Sequence, residues 1–200
     1  MTRPKVFCIG FHKTGTTSFH EFVTRLGYRS VHDTRASMEL LGLGPNRDGV
    51  EGDGHRVDVA ARIAPARLAA AVAAYDAFSD NPWPVLFARL DAGRLEHRFV
   101  LTVRDTDAWL ESQVRFFNGR NTRMRRWIYG YGNPLRHRER YRAVYEAHNA
   151  AVRAHFAGRP DFMEVTLGPG TDPDDLGDRV CRFLGHEGPT VAFPASNRTA

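Results

Sequence analysis

The segment GFHKTGTTS, residues 10–18, brings a lysine, several hydroxyl side chains and two glycines together directly after a short apolar run. The backbone N–H groups of a glycine loop that leads into a helix form a site for an anion such as phosphate. Lys13 adds a positive charge, and further hydrogen-bond donors come from the hydroxyls of Thr14, Thr16 and Thr17. A Walker-type nucleoside triphosphatase loop would read GxxxxGK[ST], with its lysine after the second glycine. Lys13 precedes Gly15 here, so the loop predicts a different anion from the end of ATP.

The segment FVLTVRDTDAWLESQ, residues 99–113, is a second candidate anion site. An apolar run ends at Arg104, Asp105 or Thr106 follows as the expected helix cap, and Ser112 lies eight positions after the arginine. A guanidinium at the carboxyl end of a strand suits bidentate recognition of phosphate. Taken alone, the segment is explained slightly better by a surface ion pair between Arg104 and Asp105 and a solvated Ser112. The two segments together favour a ligand with phosphates at both ends of a nucleoside.

Short apolar runs alternate with helical patterns along the chain. The runs that predict strands cover residues 5–10, 28–32, 75–80, 98–103 and 162–167. The patterns that predict helices cover residues 16–26, 58–74 with a break near Pro65, 83–92, 105–117, 138–157 and 174–185. Thr16 or Thr17 is the expected cap of the first helix. The alternation predicts an α/β fold, with a P-loop-type parallel sheet flanked by helices in a single domain over residues 1–200.

Two segments stand outside this alternation. Residues 42–56 are rich in glycine and polar side chains, which predicts a mobile loop. Residues 115–132 are basic and aromatic, and they form either a helical lid that contacts an anionic acceptor or a solvated helix that covers the sheet. Six aromatic residues either line an acceptor pocket or belong to the core: Trp83, Phe87, Phe116, Phe117, Trp127 and Tyr131.

Composition limits the classes of partner. The chain has 200 residues, 42% of them hydrophobic, and a net charge of +5 that favours anionic ligands. The basic residues form no polybasic run and no zinc or helix-turn-helix motif is present, so nucleic acid is not an expected partner. No apolar run reaches the roughly 18–20 residues that cross a bilayer, and no signal-peptide pattern precedes the first strand. With two isolated cysteines, Cys8 and Cys181, these features predict a cytoplasmic protein.

The two anion segments together resemble the motifs of the sulfotransferase superfamily, whose members use 3′-phosphoadenosine 5′-phosphosulfate (PAPS). GFHKTGTTS is similar to the family's 5′-phosphosulfate loop, and LTVRDTDAWLES is similar to its 3′-phosphate motif. More narrowly, DNPWPVLFARL, YEAHNAAVRAHF and CRFLGHEGPTVAFPASN resemble segments of a small bacterial-type sulfotransferase-like family. The resemblance covers residues 5–41 and 75–197.

The resemblance implies a role for each matching residue. Lys13 would stabilise negative charge on the leaving phosphate. The 5′-phosphate would be held by Thr14, Gly15, Thr16 and Thr17, with His12 supporting the loop. Arg104 and Ser112 would hold the 3′-phosphate, and the product would be adenosine 3′,5′-bisphosphate. The family needs no metal, and the nine histidines show no ligand spacing.

The catalytic base is the point at which the chain departs from its relatives. Many relatives place a histidine where this chain has Asp80, at the end of the strand before the 3′-phosphate strand. Asp80 is either the base that takes the proton of a small-molecule acceptor or the cap of the helix that begins near Pro82. His32, at the end of the second strand, is the other candidate base. Two alternatives to a sulfotransferase stay open: a P-loop small-molecule kinase and a catalytically silent nucleotide-binding module.

Overall fold

The computed structural model describes residues 3–49, 51–91 and 96–194. Its strands are β1 (Lys5–Cys8), β2 (Ser30–Val31), β3 (Ala77–Phe78), β4 (His97–Val103) and β5 (Phe162–Thr166). Its α-helices are α1 (Thr16–Arg25), α2 (Thr34–Leu40), α3 (Pro65–Ala74), α4 (Phe87–Asp91), α5 (Thr106–Phe117), α6 (Arg123–Tyr129), α7 (Arg138–His155) and α8 (Pro173–Leu184). Three predictions lie partly outside the described residues. They are the 42–56 loop at Val50, the 83–92 helix at Ala92, and the family resemblance of the last segment at residues 195–197.

The five strands form one parallel sheet in the order β2-β3-β1-β4-β5. β1 lies at the centre, with Phe7 opposite Phe78 of β3 on one side and opposite Phe99 of β4 on the other. The predicted α/β fold, a parallel sheet flanked by helices, is therefore confirmed. Because all strands run the same way, the loops that follow them meet at the carboxyl edge of the sheet.

Alternating side chains of β1 enter two separate cores. Val6 and Cys8 pack on one face with apolar residues of α1 and α8. Phe7 and Ile9 pack on the other face with residues of α2 to α7. Both faces of the central strand are thus buried, which is why its sequence is a continuous apolar run rather than an alternating one.

The start of α1 differs from the prediction. The residue before the helix is Gly15, in the left-handed conformation with φ of 96°, and no side chain caps this end. The predicted cap at Thr16 or Thr17 is therefore wrong. A β-branched residue at the N-cap would adopt this φ only with strain, whereas glycine adopts it freely.

Helix α2 was not predicted from the sequence. It is seven residues long and begins at an Asp33 cap, whose Oδ1 accepts hydrogen bonds from the N–H groups of Arg35 (2.8 Å) and Ala36 (3.1 Å). Met38 is its buried apolar anchor, at 0% exposure. A segment this short offers too few turns for an apolar period to stand out.

The two segments outside the predicted alternation, residues 42–56 and 115–132, contact each other. The described part of 42–56 has no helix or strand, but it is tied to the chain after α6 by backbone bonds from Gly54 N to Gly130 O (3.2 Å) and from Gly132 N to Glu51 O (3.0 Å). The interpretation of 115–132 as a helix that covers the sheet fits α6, because four of its residues are buried: Met124, Arg125, Ile128 and Tyr129.

Candidate active site

One cavity of about 710 Å³ opens at the carboxyl edge of the sheet. The loops that follow all five strands contribute to its lining. Every residue predicted for the site lies on its wall: His12, Lys13, Thr14, Gly15, Thr16, Thr17, His32, Asp80, Arg104 and Ser112. Residues that are up to 100 positions apart in sequence are thus brought to one place by the parallel sheet.

The N-terminus of α1 lies at this cavity, which is lined by Gly15, Thr16 and Thr17. No side chain caps the helix and its first turn carries no acidic residue. By contrast, Asp105 caps α5 and accepts one backbone N–H bond, and Asp172 caps α8 and accepts two. The φ of Gly15 favours glycine, and a Cβ there would also require the Leu167 side chain to move. The uncapped end has the character of an anion site.

The Thr14 hydroxyl is used inside the loop. It donates to the Phe11 carbonyl oxygen at 2.6 Å and lies 2.7 Å from the Thr102 hydroxyl on β4. Since its one hydrogen is directed to Phe11, it accepts the hydrogen of Thr102. The expectation that the hydroxyls of all three threonines face an anion is therefore wrong for Thr14. Its side chain instead fastens the loop to the neighbouring strand.

His12 is a buried, neutral part of the scaffold. Gln113 donates from Nε2 to the His12 carbonyl oxygen (3.0 Å), so its Oε1, 2.8 Å from His12 Nε2, accepts the ring proton. The Nδ1 atom of the same ring then accepts from the Asn81 amide. Burial, together with the Arg125 charge, lowers the pKa of His12 to about 3. Trp109 Nε1 also donates to the His12 carbonyl oxygen (3.0 Å), so this residue supports the loop as predicted.

Lys13 lies between a carboxyl group, a guanidinium and an aromatic ring. Its backbone is left-handed, with φ of 68°, and its Nζ lies 3.7 Å from the centroid of the Phe116 ring. Burial lowers the pKa of Lys13, Asp80 opposes this shift, and Arg104 adds to it. The ammonium is therefore held at the cavity by a cation–π contact, with Asp80 and Arg104 both close enough to change its proton affinity.

Asp80 is a desolvated carboxyl group on the cavity wall. Its side chain is 16% exposed, and burial raises its pKa to about 6. Oδ1 accepts from the N–H of Asn81 (2.7 Å), and Oδ2 accepts from the Thr34 hydroxyl at 3.4 Å. The alternative interpretation of Asp80 as a helix cap is wrong, since no side chain caps the 3₁₀ turn Trp83–Leu86. A carboxyl with a pKa near neutral is suited to proton transfer.

Arg104 presents its guanidinium to the cavity without a protein acceptor among the described residues. Its main chain is fixed by Tyr145, whose hydroxyl donates to the Arg104 carbonyl oxygen at 2.9 Å and lies 3.0 Å from the Arg104 N–H. Asp105 caps α5 by accepting from the Ala108 N–H (2.9 Å), as predicted, and forms no ion pair with Arg104. The surface-pair interpretation is thus wrong, and Ser112 lies on the same wall two turns along α5.

Sequence reasoning missed part of the cavity wall. The loop 167–171, after β5, lines it, as do Phe193 and Pro194 near the end of the described residues; Arg115, from the predicted segment 115–132, lines it too. The glycine-rich LGPGT stretch after the last predicted strand was a usable signal, because it must also lie at the carboxyl edge. Of the six aromatic residues, Phe116 and Phe117 line the cavity, whereas Trp83 is buried in the core.

Neither a metal site nor a membrane span is found in the part of the chain that the structure describes. No group of three or more His, Cys, Asp or Glu side chains there could hold a metal ion. No helix there is both long and apolar enough to cross a membrane.

The parallel sheet with a cavity at its carboxyl edge agrees with the family that the comparisons show. A family model described as a sulfotransferase domain matches residues 5–137 and 121–200, so the chain belongs to that family. The crystal structure of a sulfotransferase from Alicyclobacillus acidocaldarius is similar, with a TM-score of 0.58 over 92% of this chain and 82% of that chain. The sequence identity is 17%, so this likeness shows the shared fold. No curated protein matches the chain.

Proposed function

We propose that this sulfotransferase uses PAPS as donor and transfers its sulfuryl group to a hydroxyl or amine of a small-molecule acceptor. One observation carries the proposal: the Lys13 loop and the Arg104–Ser112 pair open onto the same cavity of about 710 Å³. A ligand with an anionic group at each end of a nucleoside matches this arrangement. When bound, PAPS would supply the sulfuryl group and leave adenosine 3′,5′-bisphosphate as product.

The first anion site fits the 5′ end of such a donor. No side chain caps the start of α1, and the helix dipole favours negative charge at this end. The hydroxyls of Thr16 and Thr17 add donors on the cavity wall, and Lys13 adds charge. Phosphate oxygens satisfy all of these groups at once.

The second anion site supplies the selectivity for PAPS over ATP. The Arg104 guanidinium is held in place at its main chain by Tyr145 and has no acceptor among the residues that the structure describes. A 3′-phosphate would accept from this guanidinium and from the Ser112 hydroxyl. ATP carries no 3′-phosphate, so it would leave the guanidinium unsatisfied.

Two side chains carry the chemistry at the 5′ end. The Lys13 ammonium would stabilise the negative charge that develops on the leaving phosphate oxygen, and its half-buried setting would strengthen this interaction. The Asp80 carboxylate accepts the proton of the acceptor hydroxyl or amine. With a pKa of about 6, Asp80 is mostly ionised at neutral pH and still basic enough to take that proton.

Ligand-dependent thermal stability tests the donor assignment. We expect adenosine 3′,5′-bisphosphate to raise the melting temperature of the protein and ATP with Mg²⁺ to leave it unchanged. The opposite ranking would contradict the proposal and favour the small-molecule kinase, which needs a triphosphate and a magnesium-binding acid. Incubation with radiolabelled PAPS and a panel of hydroxyl and amine compounds then tests transfer. Tight bisphosphate binding without transfer to any of them would favour the silent nucleotide-binding module.

A further inference from the structure

Three polar side chains form a hydrogen-bonded row beside the 5′ end of the cavity. The Nδ1 atom of His32 lies 2.9 Å from the Ser79 hydroxyl, and its Nε2 atom lies 3.3 Å from the Thr17 hydroxyl. Ser79 follows β3, His32 follows β2, and Thr17 lies in the first turn of α1. The row therefore connects two strand ends to one of the hydroxyls of the uncapped helix terminus.

Burial determines which way the hydrogens point along this row. Ser79 is 0% exposed, and among the described residues the His32 ring is the hydrogen-bond partner of its hydroxyl. If Ser79 accepted from the ring, its own buried hydrogen would have no acceptor, which is costly. Ser79 therefore donates to Nδ1. The neutral ring then carries its proton on Nε2 and donates it to the Thr17 oxygen.

The same row holds His32 in its neutral form. Burial lowers the pKa of His32, although the charges of Asp33 and Glu21 oppose the shift. The His20 ring stacks on it with centroids 5.1 Å apart, and His20 Nδ1 lies 2.8 Å from the Ser30 hydroxyl. A second proton on His32 would sit on Nδ1 and face the Ser79 hydrogen. The neutral ring is consequently the form that matches its neighbours.

We propose that His32, fixed by Ser79, is a positioning residue that directs the Thr17 hydroxyl hydrogen toward an anion in the Lys13 loop. Because Thr17 accepts from His32, its own hydrogen has no use within the row and is available to the cavity that Thr17 lines. Both ring nitrogens are occupied, Nδ1 as acceptor and Nε2 as donor, so His32 has no lone pair left for an acceptor proton. This role replaces the alternative of His32 as catalytic base. It rests on the proposed function for the identity of the anion.

A double-mutant cycle with binding as the readout tests the proposal. Thr17→Val removes the hydroxyl with little change of shape, and His32→Phe keeps a planar ring without nitrogens. We expect Thr17→Val to weaken binding of adenosine 3′,5′-bisphosphate about tenfold or more, and His32→Phe to weaken it about three- to tenfold. If His32 acts through Thr17, the double variant binds within about twofold of Thr17→Val alone. His32→Gln, whose amide can occupy the Nε2 position, is expected to recover part of the affinity.

Inorganic pyrophosphate is a second probe that separates this proposal from the proposed function. Suppose that the bisphosphate binds and that the loss of affinity in the double variant equals the product of the losses in Thr17→Val and His32→Phe. The positioning role of His32 is then wrong, while the donor assignment stands. If pyrophosphate binds and the bisphosphate does not, the donor assignment is wrong and the same cycle is measured with pyrophosphate. Failure of both probes to bind the unmodified protein would overturn both.

Nitrogen-15 NMR of the ligand-free protein tests the row without any ligand. We expect the chemical shifts of His32 to report a neutral ring protonated at Nε2 at pH 7. Protonation at Nδ1, or a charged ring at that pH, would overturn the proposal. A large loss of turnover in His32→Phe with unchanged bisphosphate affinity would do the same, because it would return His32 to the role of base.

Discussion

Replacing Asp80 with asparagine should make the protein more stable at high pH while removing its turnover. Burial raises the pKa of this carboxyl from its ordinary value of 3.8 to about 6. Each pKa unit corresponds to about 1.4 kcal/mol, so the shift corresponds to roughly 3 kcal/mol. Since the side chain retains 16% exposure, solvent screening reduces the expected effect to about 1–3 kcal/mol. Asparagine also tolerates the left-handed backbone at this position, where φ is 69°.

The sign of the effect follows from the direction of the shift. A carboxyl whose pKa is raised on folding favours the folded state while it is protonated, below pH 3.8, and loses that contribution as pH rises through about 6. Asp80→Asn should therefore unfold like the unmodified protein near pH 3.5 and resist unfolding better at pH 8. Urea unfolding at the two pH values measures this difference. Asp58→Asn is the matched control, since Asp58 is exposed and likewise accepts a backbone N–H bond, from Ala61 at 3.1 Å.

Activity provides the second half of the Asp80 test. Loss of general-base help should lower turnover with a found acceptor by about 10²- to 10⁴-fold while bisphosphate affinity changes less than about twofold. A variant that gained stability but kept its turnover would show that Asp80 is desolvated without being the base. A variant with no pH-dependent gain in stability would contradict the desolvation argument itself.

Two further substitutions test the anion sites. Arg104→Ala should lower the affinity for adenosine 3′,5′-bisphosphate at least about tenfold, measured by calorimetry, because it removes a charge-assisted contact. Arg179→Ala, on the exposed face of α8, is the control. Equal affinities of the two variants for the bisphosphate would contradict the 3′-phosphate assignment. In urea unfolding, Gly15→Ala should destabilise the protein more than Gly185→Ala. Both glycines have a positive φ, but a Cβ at Gly15 would also meet the Leu167 side chain, whereas a Cβ at Gly185 would have no heavy atom within 4 Å. Equal losses for the two alanine variants would show that the contact with Leu167 has no energetic weight.

The parts of the fold that were predictable are those with strong local patterns. β1 and β4 are buried along nearly their whole length, so their sequences are continuous apolar runs, and these runs predicted the two strands that precede the anion motifs. The cap at Asp105 was predictable for a similar reason, because an aspartate before an amphipathic helix is a local signal.

The parts that were not predictable depend on contacts between distant segments. The use of the Thr14 hydroxyl inside the loop depends on Thr102, 88 positions away. The position of the proton on the His12 ring depends on Gln113, which is 101 positions away. Neither contact leaves a periodicity or a composition signal near either partner. Sequence reasoning therefore found which residues reach the cavity, but not which of their atoms already form hydrogen bonds with other protein groups.

The backbone conformations of Lys13 and Asp80 show how these distant contacts serve the site. Both residues are left-handed, with φ of 68° and 69°, a conformation that costs energy for residues other than glycine and is kept only where the surroundings impose it. The neighbour of each, His12 on one loop and Asn81 on the other, joins the two loops through a buried side-chain hydrogen bond. That bond requires a neutral His12 ring, and with a pKa of about 3 the ring stays neutral far below the pH at which Asp80 ionises. The hydrogen bond between His12 and Asn81, which joins the loop of Lys13 to the loop of Asp80, is therefore intact at every pH at which Asp80 is ionised and can accept a proton.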